Sequence, residues 1–261
     1  MDLRAAWTVF RFEWTRTLTV PRLAFGAVLA LFPVALLALI QYQGGRLEVA
    51  YGAPIALFVL IPQVVCLMGL LLWATPVIHS ELEGRTWTYL AIRPAGKGAI
   101  LAGKYLTATT WTTLVALVSL TACMPVIWPD TEPLRVFAVV AALTVLASLA
   151  YGALYVLMGV IFLRRAMVAA VAYTVMSEFV VSWVPATIHH FTMQYHLRCL
   201  GAEWLGWPDD LPHDFPIDRE LLFGSLSTEL HLLILLSLTA ALFTAAVFVL
   251  RHRELVRADE A

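Results

Sequence analysis

Residues Leu23–Tyr42 read LAFGAVLALFPVALLALIQY, twenty consecutive positions without a charged side chain. A helix rises ~1.5 Å per residue, so a stretch of this length covers the ~30 Å hydrocarbon thickness of a bilayer. It predicts a membrane-spanning helix. Five further stretches meet the same criterion: Pro54–His79, Tyr105–Trp128, Val136–Leu163, Ala166–Ile188 and Leu230–Leu250. Only the fifth span, Ala166–Ile188, carries an acidic residue, Glu178. The apolar residues run all round each stretch, as contact with lipid on one side and with other helices on the other requires. Strands are disfavoured by Pro33, Pro62, Pro76 and Pro125, which membrane helices tolerate when neighbours satisfy the freed carbonyls. The expected fold is therefore all-α and integral to the membrane, with six transmembrane helices in one domain over residues 1–261.

Composition agrees with that reading. Hydrophobic residues make up 61% of the chain and charged residues 13%, against ~25% charged in ordinary soluble domains. The mean hydropathy is +0.82. A net charge of −1, with no basic run or basic aromatic face, argues against nucleic acid as a partner. Cys66, Cys123 and Cys199 show no paired spacing, so no disulfide framework is implied. Asp2, Arg4, Arg11, Glu13 and Arg16 precede a first apolar run longer than a signal-peptide core, and the first span is expected to be retained.

Lys and Arg accumulate in loops that stay on the cytoplasmic side. Arg4, Arg11, Arg16 and Arg22 precede span one; Arg85, Arg93, Lys97 and Lys104 lie between spans two and three. Arg164 and Arg165 lie between spans four and five, and Arg251, Arg253 and Arg257 follow span six, which together make 13 of the 17 basic residues. The opposite side keeps Arg46, Arg135, Arg198 and Arg219, and its last loop is acidic. Both termini are expected in the cytoplasm of a cell whose inner (plasma) membrane holds the chain. Residues 1–22 mix arginines with Trp7, Phe10, Phe12 and Trp14, which suits an interfacial helix in contact with membrane lipid. Residues 189–229 are long for a turn and carry Trp204 and Trp207, which predicts short helices on or in the outer leaflet.

The loop between spans two and three reads HSELEGRTWTYLAIRP from His79 to Pro94, followed by Gly98 and by Gly103-Lys104. It combines a charged start, a glycine that can bend the chain, an apolar piece containing Trp87, Leu90 and Ile92, and a proline stop. A short helix there would present Glu81, Glu83 and Arg85 to the cytoplasm as a docking surface. The ordered set Glu81, Glu83, Gly84, Thr86, Leu90, Pro94, Gly103 and Lys104 resembles the first cytoplasmic loop of the permease subunits of ATP-binding-cassette (ABC) transporters of the type 2 exporter superfamily. Arg85 departs from that pattern by separating the glycine from the threonine. The resemblance covers the whole chain in topology and Ser80–Lys104 in motif. It implies that Glu81, Glu83, Gly84, Arg85, Thr86, Trp87, Leu90, Arg93 and Pro94 form a coupling helix seated on a separate cytoplasmic ATPase subunit. ATP and magnesium would be bound by that partner, with no cofactor in this chain. A second permease copy, most simply giving a homodimer, would complete an export path.

Three other signals are weaker. Gly98–Lys104 has the glycine and lysine spacing of a phosphate-binding loop, but Tyr105 stands where Ser or Thr would bind magnesium, and the stretch opens a span instead of following a strand. Glu178 sits mid-span, where a carboxylate often marks a transport pathway; the alternative is a hydrogen-bonded carboxylate satisfied by Tyr173, Ser177 or Ser182. His189, His190, His196 and Cys199 could offer zinc or copper ligands, yet their spacing fits no compact metal motif and loop histidines are usually solvated. The alternative functional classes are an ATP-independent channel or secondary transporter, which would be expected to show inverted repeats and several intramembrane charges, and an intramembrane enzyme, which would need several catalytic groups at one depth. The leading expectation is a transporter subunit without an ATPase site of its own.

Overall fold

A computed structural model describes residues 3–43, 52–77, 96–127, 132–163, 165–181, 191–206 and 226–252. Among the described residues the chain is all-helical, and five helices are long and apolar enough to cross a membrane. The elements are α1 (Leu3–Thr17), α2 (Val20–Tyr42), α3 (Gly52–Phe58), α4 (Cys66–Trp73), α5 (Gly96–Cys123), α6 (Pro133–Ile161), α7 (Ala166–Tyr173), α8 (Met193–Leu205) and α9 (Thr228–His252). A π-helical segment, Val59–Val65, joins α3 to α4, and a second, Thr174–Val180, extends α7.

Both π segments have local causes. Pro62 has no N–H to return to the preceding turn and its ring crowds that turn's carbonyl, so the helix widens until Cys66 donates to Ile61, five residues back. In the second, the Thr174 hydroxyl donates 2.8 Å back to the Ala170 carbonyl, a bond that bends helices. The helix then recloses with Val181 donating to Met176.

α6 forms the centre of the bundle, packing against α4, α5, α7, α8 and α9. Its sequence explains that position: Ala147, Ser148, Ala150 and Gly152 make a face of small residues, all buried. A Cβ at Gly152 would lie 2.5 Å from Thr109 Cγ2 of α5, so the two helices meet only because that side chain is missing. Side chain to backbone bonds fasten the rest: Tyr105 donates to Leu149 O at 2.9 Å between α5 and α6, and Ser119 to Ala30 O at 2.8 Å between α5 and α2. By contrast α2 and α9 expose Val28, Leu31, Phe32, Leu233, Leu236 and Phe248. An apolar rim of this kind is what lipid contact demands and water penalises.

The helix bounds differ from the hydropathy reading in instructive ways. α5 is already helical at Gly96, nine residues before the expected start of the third span, and Ala99, Ala102 and Gly103 give its first described turns a small-residue face on which α1 packs. α2 starts at Val20, directly after the chain turns at Leu18–Thr19, with Pro21 in its first turn. The expected fifth span is described as far as Val181. Its sixteen described residues rise ~24 Å at α-helical pitch, less than a ~30 Å core.

Candidate functional site

The coupling-loop residues Glu81, Glu83, Gly84, Arg85, Thr86, Trp87, Leu90, Arg93 and Pro94 lie outside the described residues, as do His189 and His190. The structure does describe the helix into which that loop leads. Gly103 is the point of closest approach between α5 and α1: a Cβ there would fall 2.6 Å from Val9 Cβ and 2.9 Å from the Ala6 carbonyl oxygen. One residue on, the nearly buried Lys104 ammonium lies 3.2 Å from the Glu13 carboxylate of α1. Both groups are largely shielded from water, so the pair fixes the register of α1 on α5 more firmly than a surface ion pair would. The glycine and lysine that complete the loop motif therefore bind the N-terminal helix to the third span.

Gly98–Lys104 lies wholly within α5. From Ile100 onward its backbone N–H groups are used within the helix, whereas a phosphate-binding loop turns them outward around the anion. Tyr105 stands where that motif has Ser or Thr.

Glu178 is a buried carboxylate with well-defined partners. It lies within the second π segment, 1% exposed, and its Oε2 accepts the backbone N–H of Gln194 at 2.8 Å and the Tyr151 hydroxyl at 3.1 Å. The Tyr151 hydroxyl also lies 3.2 Å from Gln194 Oε1. Below them Tyr155 and Thr174 share a hydroxyl hydrogen bond of 2.7 Å. These partners lie on α6 and α8; of the neighbours that sequence proximity suggests, Ser182 lies outside the described residues. The physical reason is the start of α8. A helix N-terminus leaves its first N–H groups without intrahelical acceptors. Thr192 caps one by accepting from Tyr195 N at 3.4 Å, and Glu178 closes the next from another helix. Negative charge at that end also complements the helix dipole. The π turn sets the direction of Glu178, and Tyr151 of α6 holds it there.

His196 and Cys199 fall on α8, which packs against α6 and α9 and has no solvated face at these positions. His196 is fully buried, with Nδ1 2.9 Å from Nδ1 of buried His231 on α9; at that distance one ring donates and the other accepts. Both rings lie edge-on to Tyr195 at 5.2 and 5.6 Å. Burial pushes the Cys199 thiol up to about 12, which keeps it protonated at neutral pH instead of poised as a thiolate ligand. Among the described residues no three His, Cys, Asp or Glu side chains come together as a metal site. The description of His196 as a solvated loop histidine is therefore corrected: it is a packing and hydrogen-bonding residue between two helices.

Sequence reading missed the Tyr151–Glu178–Gln194 cluster, the His196–His231 pair and the Glu13–Lys104 pair. The first left a faint trace, since a mid-span Glu demands donors and Tyr151 and Gln194 are polar residues flanking apolar runs. The others join positions 35 and 91 residues apart, which no local pattern encodes. No protein-family model matches the chain, and no curated protein matches it.

Proposed function

We propose that this chain is the membrane-spanning permease subunit of an ATP-driven exporter of the type 2 ABC superfamily, paired with a second permease copy and with cytoplasmic ATPase subunits. The observation that carries the reading is the continuity of the ordered motif Glu81–Lys104 with α5. The last two motif residues, Gly103 and Lys104, lie within α5 and hold α1 against it. A displacement applied to the loop would thus move α1 and α5 as one body, and α5 bears directly on the central α6. Such a path suits a subunit driven by a partner's nucleotide cycle. A proton-coupled carrier receives less support, because the one mid-span carboxyl is engaged in capping α8.

The test is affinity purification of the tagged chain from native membranes, followed by ATP hydrolysis of the purified assembly in lipid. An ATPase subunit is expected to co-elute, and the double substitution Glu81→Lys/Glu83→Lys is expected to reduce hydrolysis at least about fivefold, because like charges across a docking face cost several kcal/mol. Co-elution of no ATPase, or unaltered hydrolysis after the double reversal, would count against the proposal.

A further inference from the structure

The first turn of α8 is tied to three other helices. The Gln194 backbone N–H donates to Glu178 Oε2 of the second π segment at 2.8 Å, and the Tyr151 hydroxyl of α6 lies 3.2 Å from Gln194 Oε1. Two residues on, His196 Nδ1 stands 2.9 Å from His231 Nδ1 of α9. The turn is also closed on itself, because Tyr195 N donates to Thr192 Oγ1 at 3.4 Å. Gln194 and His196 therefore belong to one capped turn, and neither can shift without the other. The second π segment continues α7, so this turn is where the chain's fifth apolar stretch and its last long helix are both held by polar bonds.

The register of α8 on α6 gives the depth of that turn. Gln194 faces Tyr151, and a Cβ on Gly201 would lie 3.4 Å from Leu143 Cδ1, so α8 runs antiparallel to α6. Tyr151 stands 18 residues after Pro133 and 10 before Ile161, ~27 Å and ~15 Å from the two ends of α6 at α-helical rise. A ~30 Å hydrocarbon core centred on α6 takes in this level. Water does not compete for the hydrogen bonds there, and a group that leaves its partner finds no substitute. The bond to Glu178 therefore does more than cap α8: it fixes the bearing of His196 toward α9, and the His231 contact fixes the turn that Glu178 caps.

We propose that the first turn of α8 is an intramembrane joint through which the second π segment and α9 respond as one unit. Loosening either tie frays the turn and so releases the other, whereas a disturbance of the π segment that spares α8 stays local. The proposal rests on the membrane-spanning reading and is independent of ATPase pairing, so the two fail separately.

The test is amide hydrogen exchange of the full-length purified chain in detergent, read by mass spectrometry on peptides from the second π segment and from the first turns of α9. Glu178→Ala should speed exchange at the start of α9 about three- to tenfold, the factor that one lost interhelical hydrogen bond represents. His231→Phe, which keeps a ring in place, should do the same reciprocally in the second π segment. It also carries the test alone where Glu178→Ala yields no folded protein. Thr174→Val serves as the contrast, since it breaks the 2.7 Å bond between Thr174 and Tyr155 of α6 without touching α8. It should speed exchange in the π segment and leave α9 at the native rate. Changes confined to the substituted helix and α8 in the first two variants would overturn the proposal. So would an equal effect of Thr174→Val on α9, which would assign the coupling to α6.

Discussion

Replacing Glu178 by Ala should destabilise the bundle by about 2–4 kcal/mol, and the size follows from what the carboxyl oxygen holds. Oε2 accepts two donors, the Gln194 N–H at 2.8 Å and the Tyr151 hydroxyl at 3.1 Å. The hydroxyl keeps a second partner, Gln194 Oε1 at 3.2 Å, so its loss stays near the ~0.6–1.7 kcal/mol of an interhelical bond in a membrane protein. The N–H belongs to the first turn of α8 and loses the acceptor it has in Glu178; a buried donor left in that condition costs about 1–3 kcal/mol. At roughly 2–4 °C per kcal/mol for a chain of this size, the melting temperature should fall by about 4–16 °C. Glu178→Gln keeps a carbonyl oxygen in the same place and gives up only the charge–dipole contribution, about 0.3–1 kcal/mol. The assay is the fraction of monodisperse protein surviving a heat ramp in detergent, followed by size-exclusion chromatography. An Ala variant melting within 2 °C of the native chain, or a Gln variant as unstable as the Ala variant, would refute the capping argument. A Gln variant that melts normally yet fails to transport would show that Glu178 also serves the substrate route.

Gly103→Ala places a methyl 2.6 Å from Val9 Cβ and 2.9 Å from the Ala6 carbonyl; over-packing of this kind costs about 1–3 kcal/mol, and a cysteine introduced at Val9 should become reactive toward a water-soluble maleimide only in that background. Lys104→Met leaves the Glu13 carboxylate, 12% exposed, with the longer and more exposed Arg16 contact at 3.7 Å, so it should cost about 1–3 kcal/mol, with Glu13→Gln/Lys104→Met recovering more than half in the same heat-ramp assay. Zinc at tenfold excess should leave the melting temperature of the native chain and of His196→Ala equally unshifted; a rise seen only in the native chain would contradict the packing role given to the His196–His231 pair.

Hydropathy alone exposed the five long helices, because a bilayer imposes one requirement, length without charge, that Leu23–Tyr42 and Leu230–Leu250 meet in full. It could not show that α5 is helical from Gly96 onward, since those turns are held by packing on α1 through Ala99, Ala102 and Gly103 and not by lipid. α8 is one of the short helices expected in residues 189–229, but its partners were hidden for a related reason. Its Gln194, His196, Arg198 and Glu203 look like loop residues until tertiary partners are supplied, and His231 and Glu178 lie too far away in sequence to be paired by inspection. The two π segments had visible causes in Pro62 and Thr174, but helix propensity says nothing about whether a strained turn widens or kinks. Glu178 was singled out correctly as unusual, while Tyr151 and Gln194, on α6 and α8, came from beyond its own helix. The loop Ser80–Pro94 was legible only as a motif.

The docking of α1 on α5 also has a consequence for biogenesis. The two helices are separated by 78 residues, and at ~5–20 residues per second of synthesis the partner helix emerges several seconds after α1 has left the ribosome. Throughout that interval the aromatic side chains of α1, exposed Trp7 and Phe12 among them, have no protein surface to meet, and the membrane surface is the natural place for them to wait. The α1–α5 contact, the Glu13–Lys104 pair included, thus forms only once α5 has been made.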